Sequence, residues 1–92
     1  MRQIEHTTAF KSDYKRESRG RHRKILDQEF HDLLSLLLTD TSLPARYCDH
    51  GLSGEWKDYR DCHIKPNLVL IYRKPDKKLQ LVRLGSHSEL GL

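Results

Sequence analysis

Residues 65–77, KPNLVLIYRKPDK, set the architecture that the rest of the chain has to fit. Their centre, Leu68–Tyr72, is a nearly continuous apolar run, which is typical of a strand buried on both faces. Lys-Pro-Asn before the run and Lys-Pro-Asp-Lys after it are turn sequences. Short turns on both sides of a strand favour an antiparallel meander. We therefore predict a buried strand at 68–72 within an antiparallel sheet.

Strands are also predicted on both sides of this run. From residue 53 onwards the sequence changes to strand character, and 56–63 mixes aromatic, charged and small residues. After the second turn, a two-residue period divides the side chains between the two faces of a strand. One face takes Leu79, Leu81 and Arg83, and the other takes Gln80, Val82 and Leu84. A further short strand is predicted at 2–7, where Ile4 is the clear apolar residue.

Two helices are predicted before the sheet. Residues 8–19 form a basic helix in which Phe10 and Tyr14 lie four apart on one face, and Gly20 interrupts the pattern. A longer helix is predicted from about residue 22 to 38, because apolar residues recur there at spacings of three and four. That stripe consists of Leu26, Phe30, Leu33, Leu34, Leu37 and Leu38. The fold class is therefore α+β, with two N-terminal helices packed on a small, mainly antiparallel sheet.

Length and composition limit the classes of protein that fit. The 92 residues, 33% of them charged and 36% hydrophobic, indicate one globular domain spanning 1–92. No stretch approaches the roughly 20 apolar residues that span a bilayer, and the polar N-terminus does not resemble a signal peptide. Cys48 and Cys62 are expected to be free thiols in the cytoplasm.

Charge is unevenly distributed around a net value of +4. Residues 1–24 carry eight Lys/Arg against three Asp/Glu, residues 25–64 carry three against eight, and residues 65–92 carry six against two. Clustered basic residues and a pI near 9.2 suggest a polyanionic partner, most often nucleic acid. A solvated basic surface is the alternative, and composition does not separate RNA, DNA and an acidic protein.

Three histidines and one arginine in the C-terminal half are the candidate functional residues. They are His50, His63, Arg83 and His87. An imidazole accepts and donates protons near neutral pH, and a guanidinium holds a phosphate through two parallel hydrogen bonds. Because neighbouring strands lie about 4.8 Å apart, His63 at the end of one strand and His87 just beyond another can meet. Ordinary surface histidines are the alternative, and this is the expectation for His6, His22 and His31.

Other types of site fit the sequence less well. Zinc could be bound by two cysteine–histidine groups, Cys48 with His50 and Cys62 with His63. The second pair is adjacent in sequence, so its side chains point to opposite faces of a strand. Paired ligand spacings such as C-x-x-C are missing, and we expect no metal and no other cofactor. No nucleophile elbow surrounds Ser86, which argues against a serine hydrolase.

One stretch resembles a family of bacterial toxins. Residues 49–63 read DHGLSGEWKDYRDCH, which is similar to the D-H-x-L-x-G-x-W-x-x-Y-R-D-x-H signature of YafQ-like toxins in the RelE/ParE toxin–antitoxin superfamily. The similarity continues through Leu70–Tyr72 and ends in Arg83-x-Gly85-x-His87. It is close over 43–87, and the order of elements matches over the whole chain. The G-x-W-x-x-Y-R part indicates only the superfamily, whereas the histidines and the arginine indicate its RNA-cleaving branch.

The resemblance implies a RelE/ParE-like microbial RNase fold and a ribosome-dependent endoribonuclease that cuts mRNA within codons. It places His50, His63, Arg83 and His87 in the active site. It also implies a cognate antitoxin with a ribbon-helix-helix DNA-binding half, so that operator DNA is contacted only through the antitoxin. A ParE-like toxin that inhibits DNA gyrase without catalysis is the competing expectation, and a plain nucleic-acid-binding module is a third.

Three positions depart from the family pattern. Asn67 and Leu68 follow the proline of the turn, where the family usually has an acidic residue of the active site and a tryptophan that contacts RNA. Asn67 can form hydrogen bonds but cannot exchange a proton at neutral pH. By this correspondence Asn67 is assigned to the active site and Leu68 to an RNA contact, although Leu68 cannot stack on a base as an indole does. An aromatic residue near the C-terminus is also missing, with Leu90-Gly91-Leu92 in its place.

The chemistry follows from RNA itself, which carries its own nucleophile in the 2′-OH. Cleavage therefore needs a base, an acid and charge stabilisation rather than a metal. By hypothesis, His50 and His63 act on the 2′-OH as base and orienting partner. Arg83 then holds the scissile phosphate, and His87 protonates the leaving 5′-oxygen. Salt-dependent phosphate contacts are assigned to Lys57, Lys65 and the N-terminal basic residues.

Overall fold

A five-stranded sheet is the centre of the computed structural model, which describes all 92 residues. In chain order the strands are β1 (Gln3–His6), β2 (His50–Gly51), β3 (Arg60–Lys65), β4 (Leu68–Arg73) and β5 (Lys78–Gly85). Their order across the sheet is β1-β5-β4-β3-β2. Strands β2 to β5 pair antiparallel, and β1 pairs with β5 in parallel. The predicted meander and the mainly antiparallel sheet are confirmed.

Strand β4 is buried on both faces, as its apolar run predicts. Leu68, Leu70 and Tyr72 belong to the principal core beneath the helices. Val69 and Ile71 belong to a second, smaller cluster on the other face. Each of the five side chains is at most 2% exposed. Because successive strand residues point to opposite faces, one short run contributes to both clusters.

The three helices before residue 39 cover one face of the sheet, a fourth packs on the other face through Leu90, and their number differs from the prediction. They are α1 (Thr8–Ser18), α2 (Arg23–Asp27), α3 (Glu29–Leu38) and α4 (His87–Leu90). The predicted continuous helix over 22–38 is wrong, because the backbone breaks at Gln28, with φ −127° and ψ −67°. The apolar stripe still faces the core on both sides of the break, with Leu26 and Leu33 both buried. None of the helices has the length and apolarity that crossing a membrane requires.

The prediction that strand structure begins at residue 53 is also wrong for residues 53–59. A 3₁₀ turn occupies Gly54–Trp56, another occupies Ala45–Tyr47, and the first long strand begins at Arg60. The apolar residues between them do not alternate along a strand. Instead, Leu52, Trp56 and Tyr59 pack on the second cluster from outside the sheet.

A β-bulge in β5 changes which side chains share a face. The pairing of β5 with β4 shifts at Val82, which is left as the extra residue. Beyond it, Leu84 joins Leu79 and Leu81 in the principal core. Arg83 instead pairs with Ile71, whose side chain lies on the face of the second cluster. The prediction that Arg83 shares a face with Leu79 and Leu81 is therefore wrong, because the bulge displaces the two-residue period by one.

Helix α1 covers the part of β5 that β1 leaves unpaired. β1 pairs only with residues 78–81, so the backbone groups beyond them need other partners. The Thr7 hydroxyl donates to the Val82 carbonyl at 2.7 Å. The Leu84 amide donates to the Asp13 carboxylate at 3.0 Å, and Arg16 donates to the Leu84 carbonyl at 3.0 Å. These contacts fix α1 beside the end of β5.

Truncating Leu33 tests the core described here. Leu33 is fully buried on α3, so Leu33→Ala removes packed atoms and leaves a cavity. We expect a loss of about 2–5 kcal/mol in the free energy of unfolding, measured by urea denaturation. Leu92→Ala makes the same chemical change at a side chain that is 41% exposed and should cost far less. Equal losses at the two positions would contradict the placement of the core.

Candidate active site

The three predicted histidines meet at one end of the sheet. His50 lies on β2, His63 lies on β3, and His87 is the first residue of α4. The ring centroids of His63 and His87 are 4.9 Å apart, and those of His50 and His63 are 6.4 Å apart. Three imidazoles therefore lie within reach of one substrate.

Sheet register explains why these side chains share a face. His50 pairs with Asp61 on β3, and Asp61 pairs with Ile71 on β4. Ile71 pairs in turn with Arg83 on β5. Residues paired across a sheet point to the same side, so these four side chains form one row. His63 lies two residues after Asp61 on β3 and belongs to the same face.

Asp61 is the site residue that the sequence analysis missed. Its side chain is 2% exposed, and one of its oxygens lies 3.0 Å from Nδ1 of His50. Ligand atoms of Asp61, His63 and His87 all lie within 4.8 Å of one another. The signal was present in the Tyr-Arg-Asp-Cys-His motif, because residues two apart on a strand share a face.

Two buried polar atoms at the centre of this cluster have no hydrogen-bond partner within the chain. They are Nε2 of His63 and Oδ1 of Asp61, which lies 3.0 Å from Nδ1 of His50 without forming a hydrogen bond to it. Unpaired buried polar groups are rare in folded proteins, and they concentrate where a ligand completes the hydrogen bonding. Both atoms can therefore form a hydrogen bond with a water, an ion or a ligand.

The environment of His50 favours one protonation pattern for its neutral ring. Nδ1 lies 2.7 Å from the carbonyl oxygen of Cys48 as well as 3.0 Å from Asp61. Both neighbours are acceptors, so Nδ1 carries the hydrogen and donates it to the Cys48 carbonyl. Nε2 then keeps its lone pair, on a side chain that is 55% exposed. Such a nitrogen can accept a proton from a substrate hydroxyl.

Arg83 is on the same face, on β5, two strands away from Asp61 on β3, and its guanidinium is held by α1. Nε donates to the Asp13 carboxylate at 2.6 Å and Nη2 donates to it at 3.2 Å. The Arg83 side chain is 29% exposed, whereas that of Asp13 is 4% exposed. Nη1 makes no hydrogen bond within the chain, so one nitrogen of the fork remains available to a ligand.

The charge state of this pair is fixed by its hydrogen bonds. Burial favours a higher pKa for Asp13, but hydrogen bonds from Arg83 and from the Leu84 amide outweigh it, so the pKa lies below its ordinary value. The hydrogen bond to Asp13 in turn raises the pKa of Arg83. Arg16 also donates to Asp13, at 3.1 Å. Both members of the pair are therefore ionised at neutral pH.

Asn67 lies outside the histidine cluster. It is exposed in the turn between β3 and β4 and lines a separate polar cleft with Ser86 and Glu89. Ser86 caps α4 and precedes His87 in the chain. Asn67 is therefore close to the backbone that presents His87, not among the imidazoles.

Of the residues predicted to contact RNA, the two lysines are accessible to solvent and the leucine is not. Lys57 is exposed, and Lys65 is 41% exposed and paired with Glu29 at 3.0 Å. Leu68 is fully buried in the principal core. The prediction that Leu68 contacts RNA is therefore wrong, because the first residue of β4 points towards the helices.

The residues that could bind a metal in the structure differ from the cysteine–histidine pairs considered as zinc ligands in the sequence analysis. Cys62 is buried in the principal core, on the face opposite to His63, and burial raises the pKa of its thiol well above the usual range. A neutral buried thiol is a poor ligand. The carboxylate and imidazole donors of Asp61, His63 and His87 instead form a compact set suited to zinc or copper.

The chain is similar to known bacterial toxins in sequence and in structure. The family model described as the bacterial toxin of type II toxin–antitoxin system, YafQ, matches residues 2–91. The mRNA interferase toxin YafQ of Escherichia coli K12 is 40% identical over 91 residues, covering 98% of this chain and 96% of the relative.

Two groups of solved structures are informative. The E. coli DinJ–YafQ complex contains a chain that is 38% identical, with a TM-score of 0.84 and 98% of each chain covered. A copper-bound mutant toxin from Helicobacter pylori is 36% identical, with a TM-score of 0.87, covering 98% of this chain and 99% of that chain. The fold and the sequence match together over nearly the whole length.

Replacing Asp13 tests the pairing that holds Arg83. A carboxylate whose pKa is lowered by folding stabilises the protein above its unfolded-state pKa of about 3.9, and this contribution is lost as the pH falls through the folded-state pKa. We expect Asp13→Asn to cost about 1–3 kcal/mol of unfolding free energy at pH 7. The difference from wild type should shrink as the pH falls below about 4.

Urea denaturation across this pH range measures the effect. Asp58→Asn makes the same change at an exposed carboxylate without an ion pair and should show little effect at any pH. A difference between wild type and Asp13→Asn that does not depend on pH would contradict the ionised pair.

Proposed function

Because the chain belongs to the YafQ family of mRNA interferase toxins from bacterial type II toxin–antitoxin systems, we propose that it cleaves mRNA on the ribosome by acid–base catalysis. The observation that carries the proposal is the cluster of His50, His63 and His87 around the buried Asp61. Proton transfers to and from RNA need such groups close together. A ParE-like gyrase inhibitor offers no reason for a carboxylate buried among three imidazoles.

His50 is the candidate general base. Its Nδ1 hydrogen is held by the Cys48 carbonyl, which leaves Nε2 to take the proton of the 2′-OH. The 2′-oxygen then attacks the adjacent phosphorus, and the bond from phosphorus to the 5′-oxygen breaks. The products are a 2′,3′-cyclic phosphate and a free 5′-hydroxyl.

Asp61 and His63 form the centre of the proposed site. Asp61 is buried beside His50, and its negative charge stabilises the imidazolium that forms when His50 takes the proton. His63 lies between His50 and His87, and its unpaired Nε2 is available to hold the 2′-oxygen in line. The hydrogen bonds that these buried atoms lack in the free protein are then supplied by RNA.

His87 is the candidate general acid. It stands at the first position of α4, where the Ser86–Glu89 capping box fixes the turn that presents it. Its ring meets His63 edge-on, with centroids 4.9 Å apart. A protonated His87 donates to the 5′-oxygen as the bond to phosphorus breaks.

Charge stabilisation is assigned to groups around this cluster. Arg83, fixed by Asp13, presents Nη1 to the phosphate oxygens. Asn67 contributes a neutral hydrogen bond from the neighbouring turn. Lys57 and Lys65 attract the RNA backbone in a salt-dependent manner.

The proposed partners follow from the relatives. E. coli YafQ is found in a complex with DinJ, and we infer a cognate antitoxin for this chain as well. We expect that antitoxin to carry a ribbon-helix-helix half that binds operator DNA, so the toxin contacts DNA only through it. The proposed substrate, ribosome-bound mRNA, places the activity in the cytoplasm.

The central test is His87→Ala, assayed by mapping the 5′ ends of cellular mRNA after brief induction. Wild type should cut in phase with codons. Since a general acid contributes about 10²–10⁴-fold, the variant should lose at least about 100-fold in cut frequency. His31→Ala removes an exposed histidine of α3 and should cut as wild type does.

Two outcomes would contradict the proposal. Unchanged cutting by His87→Ala removes the assignment of the acid. Intact mRNA in growth-arrested cells, together with toxicity that survives replacement of His50, His63 and His87, would favour the gyrase inhibitor.

Metal binding at the same cluster is a second candidate property. A mutant toxin from H. pylori is copper-bound, and Asp61, His63 and His87 of this chain offer three donor atoms within 4.8 Å of one another. A metal held there would occupy the imidazoles that transfer protons, and we therefore propose that it inhibits cleavage.

Copper titration tests this property. Calorimetry should show Cu²⁺ binding by wild type and His31→Ala, and loss of that binding in His63→Ala. Copper-loaded toxin should cleave mRNA more slowly than toxin treated with a chelator and dialysed before ribosomes are added. Faster cleavage by the copper-loaded form would overturn the inhibitory assignment.

A further inference from the structure

A cleft of about 540 Å³ opens directly beside the histidine cluster. His50, Asp61 and His87 form one end, and Trp56 and residues 91–92 line the rest. Its volume is within the range of small-molecule binding sites. The proton transfers use only the histidine end, so the remainder of the cleft has no role in the mechanism above.

Trp56 gives the cleft a fixed aromatic wall. This residue, the single tryptophan of the chain, is partly buried and packs with Leu52 and Tyr59 on the second cluster. Tyr59 meets its ring edge-on, with centroids 5.4 Å apart and planes at 87°. A side chain that is already ordered in the free protein loses little conformational entropy when a ligand binds. Stacking on such side chains is a general mode of holding the bases of single-stranded RNA.

Gly91 keeps the C-terminal side of the cleft open. It ends α4 in the left-handed conformation, with φ +71°, which glycine adopts without strain. It has no side chain to project into the cleft, and an added Cβ would meet no atom within 4 Å. There is therefore free volume at this side of the cleft.

The charges of the lining favour a base over a phosphate. Beyond the histidine end, Glu55 is the charged side chain of the lining, and no lysine or arginine lines the cleft. A phosphate would be repelled there, whereas an uncharged nucleobase would not. The cation assigned to the phosphate, Arg83, lies outside the cleft, further across the same sheet face.

Two side chains at the cleft are free to contact a base. Ser53 and Glu55 are exposed, and neither side chain makes a hydrogen bond or an ion pair within the chain. An ionised carboxylate only accepts hydrogen bonds, so Glu55 selects a base edge that donates. The exocyclic amino groups of adenine, cytosine and guanine are such donors. Uracil has no amino group, and its ring N3–H lies between two carbonyl oxygens that repel a carboxylate.

We propose that this cleft holds the nucleobase beside the scissile phosphate, stacked on Trp56 and donating an exocyclic amino hydrogen to Glu55. The assignment rests on the proposed function, because only a cleaved RNA has a scissile phosphate to flank. Glu55 is then a specificity-determining residue, and Trp56 supplies affinity that does not depend on the base. Neither residue takes part in proton transfer.

Glu55→Gln is the decisive variant, because it replaces a carboxylate on the surface with an amide that both donates and accepts. In mRNA 5′-end mapping, wild type should cut codons with uracil at one position on the order of 10-fold less often than codons with an amino-bearing base there. Glu55→Gln should remove most of this difference while still cutting the preferred codons. Asp58→Asn, a matched change at an exposed residue outside the cleft, should keep the wild-type profile.

Trp56→Phe and Trp56→Leu test the stacking wall. The smaller aromatic ring should lower cutting several-fold at all codons without changing the base preference, and leucine should lower it further. Thermal unfolding followed by circular dichroism establishes that each variant is folded before its activity is compared. If Trp56→Leu destabilises the second cluster, the cutting frequency of Trp56→Phe can still be compared with that of wild type.

The outcomes separate this proposal from the proposed function. A Glu55→Gln profile identical to that of wild type overturns the assignment of Glu55. Folded Trp56 variants that cut every codon at the wild-type frequency overturn the base cleft. Wild type that cuts no mRNA overturns the proposed function, and the cleft assignment falls with it.

Discussion

Burial of β4 on both faces is the constraint on which the rest of the structure depends. Its side chains alternate between the principal core and the second cluster, so a slip of one residue would move every one of them to the wrong face. The register of β3 and β5 is thereby fixed, because both pair with β4. Ile71 pairs with Asp61 on one side and with Arg83 on the other, and Val69 pairs with His63. The packing that buries an apolar strand thus also aligns the functional side chains.

Two buried carboxylates have opposite roles in this frame. Asp13 accepts hydrogen bonds from Arg83, Arg16 and the Leu84 amide, so its charge is balanced and it holds the end of β5 rigidly. Asp61 is as deeply buried, yet its Oδ1 accepts no hydrogen bond within the chain and has only the exposed His50 ring beside it, at 3.0 Å. A buried charge without full pairing destabilises the folded state. The satisfied carboxylate therefore belongs to the scaffold, and the unsatisfied one belongs to the proposed site.

The sequence predicted the parts of the fold that depend on local pattern. β4, the turns beside it and the meander followed from an apolar run between two proline turns, and the stripe from Leu26 to Leu37 faces the core as expected. The errors fall where one residue interrupts a regular repeat. Gln28 divides a helix without disturbing its apolar spacing, and Val82 inserts a bulge that turns Arg83 to the other face. Periodicity averages over such single positions and cannot locate them.

Spacing relative to the predicted strands and turns marked His50, His63 and His87 as candidates, and the resemblance of residues 49–63 to YafQ-like toxins indicated the family. The separations of the three histidines, the nearness of Asp61, the tie between Arg83 and Asp13, and the cleft beside Trp56 were decided by the tertiary structure. These features join residues up to 70 positions apart in the chain. These contacts depend on the packing of β5 against α1 and on the position of residues 91–92 beside the 3₁₀ turn that contains Trp56. A local sequence repeat carries no information about such long-range packing.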